Sequence, residues 1–400
     1  MPTLFDSSRR TDPSPAQHAE SLYHFLNRVE SEYFGNARDV LESWYAAFPD
    51  DDGHLLTRFR SRDDRSNLAA FWELYIHALY RGHGFEIEVH PQLTSVSRTT
   101  PDFMVHGSVE FVVEARLLMT PAEVYSVGAR THQVYDAVNQ INSPNFFVGA
   151  SVFSTGATMP SLAKLKRLLE TWLASLDPDA VTRDYAVGGS WGSLPSTTWE
   201  DRGWSVQFQA IPKKVESRSR PGVRPLGFSG PGEAVAIDDH TPLVKTLKSK
   251  APSRYGQFNS PYVIAVLSNS LTFDATDVFS ALFGSEAVEF RRAADGTTST
   301  RPVRNRDGFW YGPIGVQNTR VSGVIIAHRL VPWTIAKNTP RLWLNPYTGV
   351  SLPEPDHQPW ATAIPDHEQG VMRYSEPVRP LNEILHLPPN WPGQEDLEAT

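Results

Sequence analysis

From Asn67 to Arg81 the apolar residues fall at 68, 71, 72, 75, 76 and 79, one stripe with the period of an α-helix, and Ser66 stands ahead of it as an N-cap. The period then drops to two. FEIEVH at 85–90, PDFMV at 101–105 and EFVVEAR at 110–116 read as strands, the last two joined through a His-Gly-Ser turn that suits a hairpin. Thr120, Pro121 and Glu123 combine a capping-box pattern with proline at the first helical position, which opens a helix reaching about Ile141. Pro144 then releases the chain into NFFVGASVF, an apolar run of the kind expected for a buried strand. The order is helix, three strands, helix, strand, and it predicts an α/β fold with a mixed sheet flanked by helices.

Around this block the sequence predicts two amphipathic helices over 14–47, joined near Gly35 and started by Ser14 and Pro15. Downstream come a helix at 160–176, a strand at 204–211 and a loop at 217–233 heavy in Gly, Pro, Ser and Arg. Thr241-Pro242 opens a further helix, and SPYVIAVLS reads as another buried strand; this pair mimics the one at 121–153 and is expected to extend the same sheet. A short helix at 275–283 ended by Gly284 precedes strands near 287–291, 321–329 and 341–345, and the proline-rich stretch 351–400 reads as an extended surface segment. Four hundred residues exceed what one hydrophobic core usually fills. The expected division is an N-terminal helical appendage over 1–62, a core with an inserted basic loop over 63–270, and an α+β extension with its tail over 271–400.

The chain has no cysteine, which excludes disulfides, thiolate zinc sites, iron–sulfur clusters and a thiol nucleophile, so any metal must sit on oxygen or imidazole. No apolar h-region opens the sequence and no apolar run reaches membrane-spanning length, so a cytoplasmic protein without a membrane partner is expected. The formal charge of −8 does not favour nucleic-acid binding as a whole, but ten Lys or Arg face four acids between 202 and 255. A basic segment in an acidic chain suits phosphate.

Metal-assisted phosphodiester hydrolysis needs carboxylates to hold Mg²⁺ beside the scissile phosphate and a cation to steer the attacking water. Asp102, followed twelve residues later by Glu114-Ala115-Arg116, has that composition. The strand period turns Glu114 and Arg116 to one face, with Asp102 arriving from the neighbouring strand of the hairpin. Glu73, at the edge of the stripe on the preceding helix, supplies a third carboxylate. The G-x-S-x-G run at 188–192 lacks the helix that a nucleophile elbow requires after it, since Pro195 and a Ser/Thr run follow. HExxH, Walker A and G-x-G-x-x-G patterns are absent.

The segments FWELYIHALYRGHGFEIEVHP, TTPDFMV and EFVVEAR, in this element order, resemble the PD-(D/E)XK (restriction-endonuclease-like) nuclease superfamily over residues 66–153. The resemblance implies an αβββαβ core, Mg²⁺ (or Mn²⁺) on Asp102 and Glu114 with support from Glu73, and the superfamily's lysine role at Arg116. Arginine keeps its proton at any working pH and cannot transfer it as a lysine does. Arg116 therefore acts electrostatically, or Gln133, Gln140, Lys245 or Lys248 replaces the lysine, or catalysis has been lost. The stretches KTLKSKAPSRYG, SPYVIAVLS and DVFSALFG resemble an uncharacterised bacterial protein group that shares the nuclease-like core. Lys245, Lys248, Lys250 and Arg254 form a basic face suited to phosphate contact. The expectation is a Mg-dependent endonuclease acting on nucleic acid, DNA ahead of RNA, in defence against foreign DNA, with a homodimer left open. The alternative is a catalytically inactive nuclease-fold module that binds nucleic acid or a protein partner.

Overall fold

The structure, a computed structural model, describes residues 2–93, 100–118, 122–220, 222–232, 238–250, 255, 258–270, 273–292, 297–352, 357–366 and 371–394. The chain forms two compact units. The first comprises Met1–Arg10, Ser21–Met119 and Ile237–Glu395, and the second Thr11–Glu20, Thr120–Ala236 and Asp396–Thr400. These boundaries lie elsewhere than at 62 and 270.

The first unit begins with α1 (Leu22–Arg28), α2 (Glu32–Ala46), α3 (His54–Phe59) and α4 (Asp64–His83), followed by β1 (Glu86–Val89), β2 (Phe103–His106) and β3 (Phe111–Leu117). The second unit holds α5 (Ala122–Asn139), β4 (Phe146–Ser154), α6 (Leu162–Ala174), α7 (Pro178–Gly188), β5 (Ser196–Asp201), β6 (Trp204–Pro212) and β7 (Leu226–Pro231). The chain then returns to the first unit with α8 (His240–Lys248), β8 (Tyr262–Ser268), α9 (Ala275–Phe283), β9 (Glu286–Arg292), β10 (Thr298–Arg304), β11 (Tyr311–Gly312) and β12 (Gly315–Val316). It ends with β13 (Gly323–His328), β14 (Arg341–Leu344), β15 (Ala361–Asp366), β16 (Val371–Ser375) and α10 (Leu381–Ile384).

An eight-stranded mixed sheet in the order β1-β2-β3-β8-β13-β14-β15-β16 organises the first unit. β1, β2 and β3 run antiparallel, whereas β8 lies parallel to both β3 and β13. One face of the sheet, with Phe103, Val105, Val113, Val263 and Ala265, packs against Trp72, Tyr75, Ile76 and Leu79 of α4. The Trp72 indole also donates to the Ala265 carbonyl at 3.0 Å. The other face, with Met104, Val112, Ile264 and Val266, packs against Leu243 and Leu247 of α8 and Val278 and Leu282 of α9. Burying both faces explains why β8 reads as an unbroken apolar run with every residue buried.

The helix–strand pair beside the hairpin is not the expected one. β4 belongs to a separate four-stranded sheet, β5-β6-β4-β7, in the second unit, while α8 and β8 supply the helix and the strand next to β3. A run of apolar residues signals burial and says nothing of which sheet takes it. The two runs differ at their ends: β4 finishes in exposed Phe153 and Ser154, as a strand with one open end does.

Several local expectations change for identifiable reasons. Gly35 lies inside α2, and the break between α1 and α2 falls at 29–31. Ser21, not Ser14, caps α1 by accepting from the His24 N–H, and α1 to α3 join the same apolar core as α4 rather than standing off as an appendage. Asp63 caps α4, accepting from the Ser66 N–H at 3.1 Å. The loop at 217–233 contains β7, parallel to β4. The proline-rich tail is built into the fold through β15, β16 and α10: Trp360 and Trp391 are buried, and the Trp360 indole donates to the Tyr80 hydroxyl at 2.9 Å. Thr120 and Pro121 lie outside the described residues. Gly188 ends α7, and residues 191–193 lead into a strand, so the G-x-S-x-G run sits on a helix-to-strand connection. No helix among the described residues is long and apolar enough to cross a membrane.

Candidate active site

Extending the hairpin register from Phe103↔Val113 sets Asp102 directly opposite Glu114, so both side chains leave the same face of the sheet. Asp102 turns one oxygen, Oδ2, to the N–H of Ala115 at 2.7 Å. Burial, then the nearby charges of Glu114 and Glu73, raise the Asp102 carboxyl well above the usual carboxylate range, with Lys250 and the Ala115 bond acting in the opposite sense. Glu114 is fully buried at 0% exposure.

A buried carboxylate requires partners, and Glu114 has one on each oxygen. The Lys250 ammonium pairs with Oε1 and the Tyr255 hydroxyl donates to Oε2 at 2.8 Å. Lys250 stands two residues beyond the end of α8, whose apolar face covers this side of the sheet. The Tyr262 hydroxyl donates to the Lys250 carbonyl at 3.0 Å and so ties the helix exit to β8. The Lys250 side chain is only 13% exposed. It was expected on a phosphate-facing surface, and Tyr255 was not singled out; the signal available for both was their position between a helix and a strand assigned to the same sheet as Glu114.

The remaining candidates do not touch the Glu114 carboxylate, although Glu73 lies near enough for its charge to act on Asp102. Glu73 on α4 is buried, and Arg58 of α3 meets both of its oxygens, one at 2.7 Å. Burial opposes the Arg58 charge, but the bonds and the charge of Glu73 prevail and raise its pKa. Arg116 is half-buried on β3, across from Val266, and its Nε is buried without a hydrogen-bond partner among the described residues. Lys245 and Lys248 are exposed on the outer side of α8. Arg254 lies outside the described residues, and Gln133 and Gln140 belong to the second unit.

Hard oxygen ligands suit Mg²⁺ or Mn²⁺, and Mg²⁺ is commonly held by one or two carboxylates completed by water and substrate phosphate. Asp102 and Glu114 bring two carboxyl groups to one face of the hairpin, and a cation there would oppose the burial and the neighbouring carboxylate charges that raise the Asp102 carboxyl, in competition with Lys250 and Tyr255 for Glu114. Among the described residues no group of three or more His, Asp or Glu side chains is gathered for a metal, so the pair would rely on water and phosphate for the rest. In the second unit a cavity of about 760 Å³ is lined by Phe147, Trp191, Ile211, Leu226 and Phe228, with Arg224 the one titratable side chain among the described lining residues. That guanidinium donates to the Pro15 carbonyl at 2.6 Å. Compared with protein-family models, with curated proteins and with solved structures, the chain matches none.

Proposed function

We propose that the chain is a metal-dependent nuclease with a restriction-endonuclease-like core made of α4, β1, β2, β3, α8 and β8, interrupted between β3 and α8 by the second unit. The observation that carries this reading is the Lys250 ammonium on Glu114, with Asp102 opposite in the hairpin. That arrangement supplies the carboxylate pair and the lysine, although the lysine comes from the helix exit and not from β3. In this reading Asp102 and Glu114 hold Mg²⁺ or Mn²⁺, which when bound supplies an activated water and neutralises phosphate charge. Lys250 supplies a lysine ammonium at the Glu114 carboxylate, where β3 itself carries only the Arg116 guanidinium. Tyr255 holds the Glu114 carboxylate in a single orientation. Arg116 adds a fixed positive charge on the same face of β3, suited to a phosphate oxygen.

The test is cleavage of single- and double-stranded DNA and RNA with Mg²⁺ or Mn²⁺, comparing wild type with Glu114→Ala, Lys250→Ala and an EDTA control. Hydrolysis lost in all three supports the reading. A nucleic-acid-binding module without catalysis is the second reading, favoured by the complete burial of Glu114 and the engagement of both its oxygens. Binding without hydrolysis under every metal condition would select it.

A further inference from the structure

β9 and β10 pair with each other over seven residue pairs and, among the described residues, with no other strand. A lone two-stranded ribbon gains little from burial and is marginal unless held from outside. This one is held at its root. Arg304 donates to the Gly284 carbonyl at 2.8 Å and covers the Phe279 ring at 4.1 Å, and Ser285 donates to Asp307 through its hydroxyl (2.6 Å) and its N–H (2.8 Å). The chains at the root approach so closely that a Cβ on Gly284 would stand 2.0 Å from the Asn305 carbonyl oxygen. Beyond this clamp most side chains are exposed, and Arg291 and Arg301 both pair with Glu289 on one face. Val288 and Phe290 are 53% and 71% exposed, and the Arg291 and Arg301 side chains are each 71% exposed.

Five arginines (291, 292, 301, 304 and 306) face three acids between residues 286 and 306, in a chain whose net charge is −8. The ribbon grows from α9, which packs against α8 in the layer that carries Lys250. We propose that the β9–β10 ribbon is an arm that enters the major groove of duplex DNA, with Arg291, Arg292 and Arg301 meeting phosphates and base edges. This rests on the nuclease reading for the identity of the polymer and specifies its form. Two strands roughly 4.8 Å apart, about 23 Å long, fit a B-form major groove about 12 Å wide. The deep, narrow major groove of A-form RNA does not admit them. Phe290, opposite Thr300 on the same face as Arg292, supplies an apolar contact for a thymine methyl. A second copy of the ribbon is a poorer occupant, because edge-to-edge pairing would bring these arginine-rich strands together.

The experiment measures binding of the full chain to a labelled DNA duplex in EDTA, where hydrolysis plays no part, for wild type and for the combined Arg291→Ala, Arg292→Ala, Arg301→Ala variant. Duplex RNA serves as competitor and light scattering reports mass. The expected result is at least tenfold weaker DNA binding by the variant, a slope of log K against log salt reduced by about 2, and wild-type preference for DNA over RNA duplex. Equal binding by variant and wild type would overturn the proposal, as would equal wild-type affinity for the RNA duplex. A wild-type dimer that Phe290→Ser dissolves without changing DNA affinity would overturn it too, by making the ribbon an arm between copies. Failure of wild type to cleave a duplex that it binds through the ribbon counts against the nuclease reading alone.

Discussion

Lys250 lays its ammonium against the Glu114 carboxylate from a point two residues past the end of α8, so an ion pair separated by 136 positions in sequence closes over the inner strand of a hairpin. Glu114 sits on β3, antiparallel to β2 and parallel to β8, with no exposed surface, and Lys250 and Tyr255 engage its two oxygens. The position is costly to maintain without its partners.

Lys250→Met should therefore act on stability and on chemistry together. Removing one member of a buried ion pair leaves the other uncompensated and costs about 3–5 kcal/mol. Cleavage should fall by a factor on the order of 10²–10³, the range for loss of one preorganised charge-stabilising group. The double change Lys250→Met, Glu114→Gln should recover much of the stability in urea unfolding while remaining inactive. Full activity in Lys250→Met would transfer the cationic role to Arg116.

Tyr255→Phe keeps the ring in its packing and removes the hydroxyl that donates to Glu114 at 2.8 Å. A hydrogen bond to a charged group contributes about 1.5–3 kcal/mol. Unfolding free energy should drop within that range, and cleavage should fall less than in Lys250→Met because the ammonium stays in place. A variant as stable as wild type would mean that the hydroxyl does not hold the carboxylate in solution.

Glu73 separates a metal ligand from a structural acid. Arg58 occupies both of its oxygens, so Glu73→Gln should lower stability and leave Mg²⁺ affinity, measured by calorimetry, little changed. Glu114→Gln should abolish that affinity. Arg58→Met should cost more stability than Arg58→Met with Glu73→Gln, because only the single change leaves a buried carboxylate alone. Loss of Mg²⁺ binding in Glu73→Gln would restore Glu73 to the ligand set.

The parts of this fold legible in sequence are those whose signal is local. α4 and the β2–β3 hairpin follow from a change of period within about fifty residues, and the same period sets Asp102 and Glu114 on one face. Sheet membership is a long-range property: NFFVGASVF and YVIAVLS carry the same apolar message, and only the paired register shows that the second lies beside Glu114. Lys250 reads as part of a basic, phosphate-facing helix beside that strand, and only the three-dimensional packing turns its side chain inward to Glu114. Prolines in the tail marked extension correctly, but an extended segment can lie on a surface or join a sheet edge, and β15 and β16 join one.

His77 gives the fold a dependence on pH away from the site. It is buried on α4 with its ring edge-on to Phe48 at 4.8 Å, and its Nδ1 has no hydrogen-bond partner among the described residues. Burial, reinforced by the Arg81 charge, pulls its pKa down to about 4. As pH falls, the unfolded chain takes up this proton near 6.5, before the folded chain does, so protonation favours unfolding. The contribution is complete above about pH 6.5 and is lost progressively as pH falls to about 4, where it levels off at a loss of roughly 3 kcal/mol. Urea unfolding of wild type between pH 7.5 and 4.5 should show this decline, and His77→Phe, which keeps an aromatic ring in the same packing, should flatten it. An identical decline in the variant would place the acid sensitivity on other groups and leave His77 as a packing residue only.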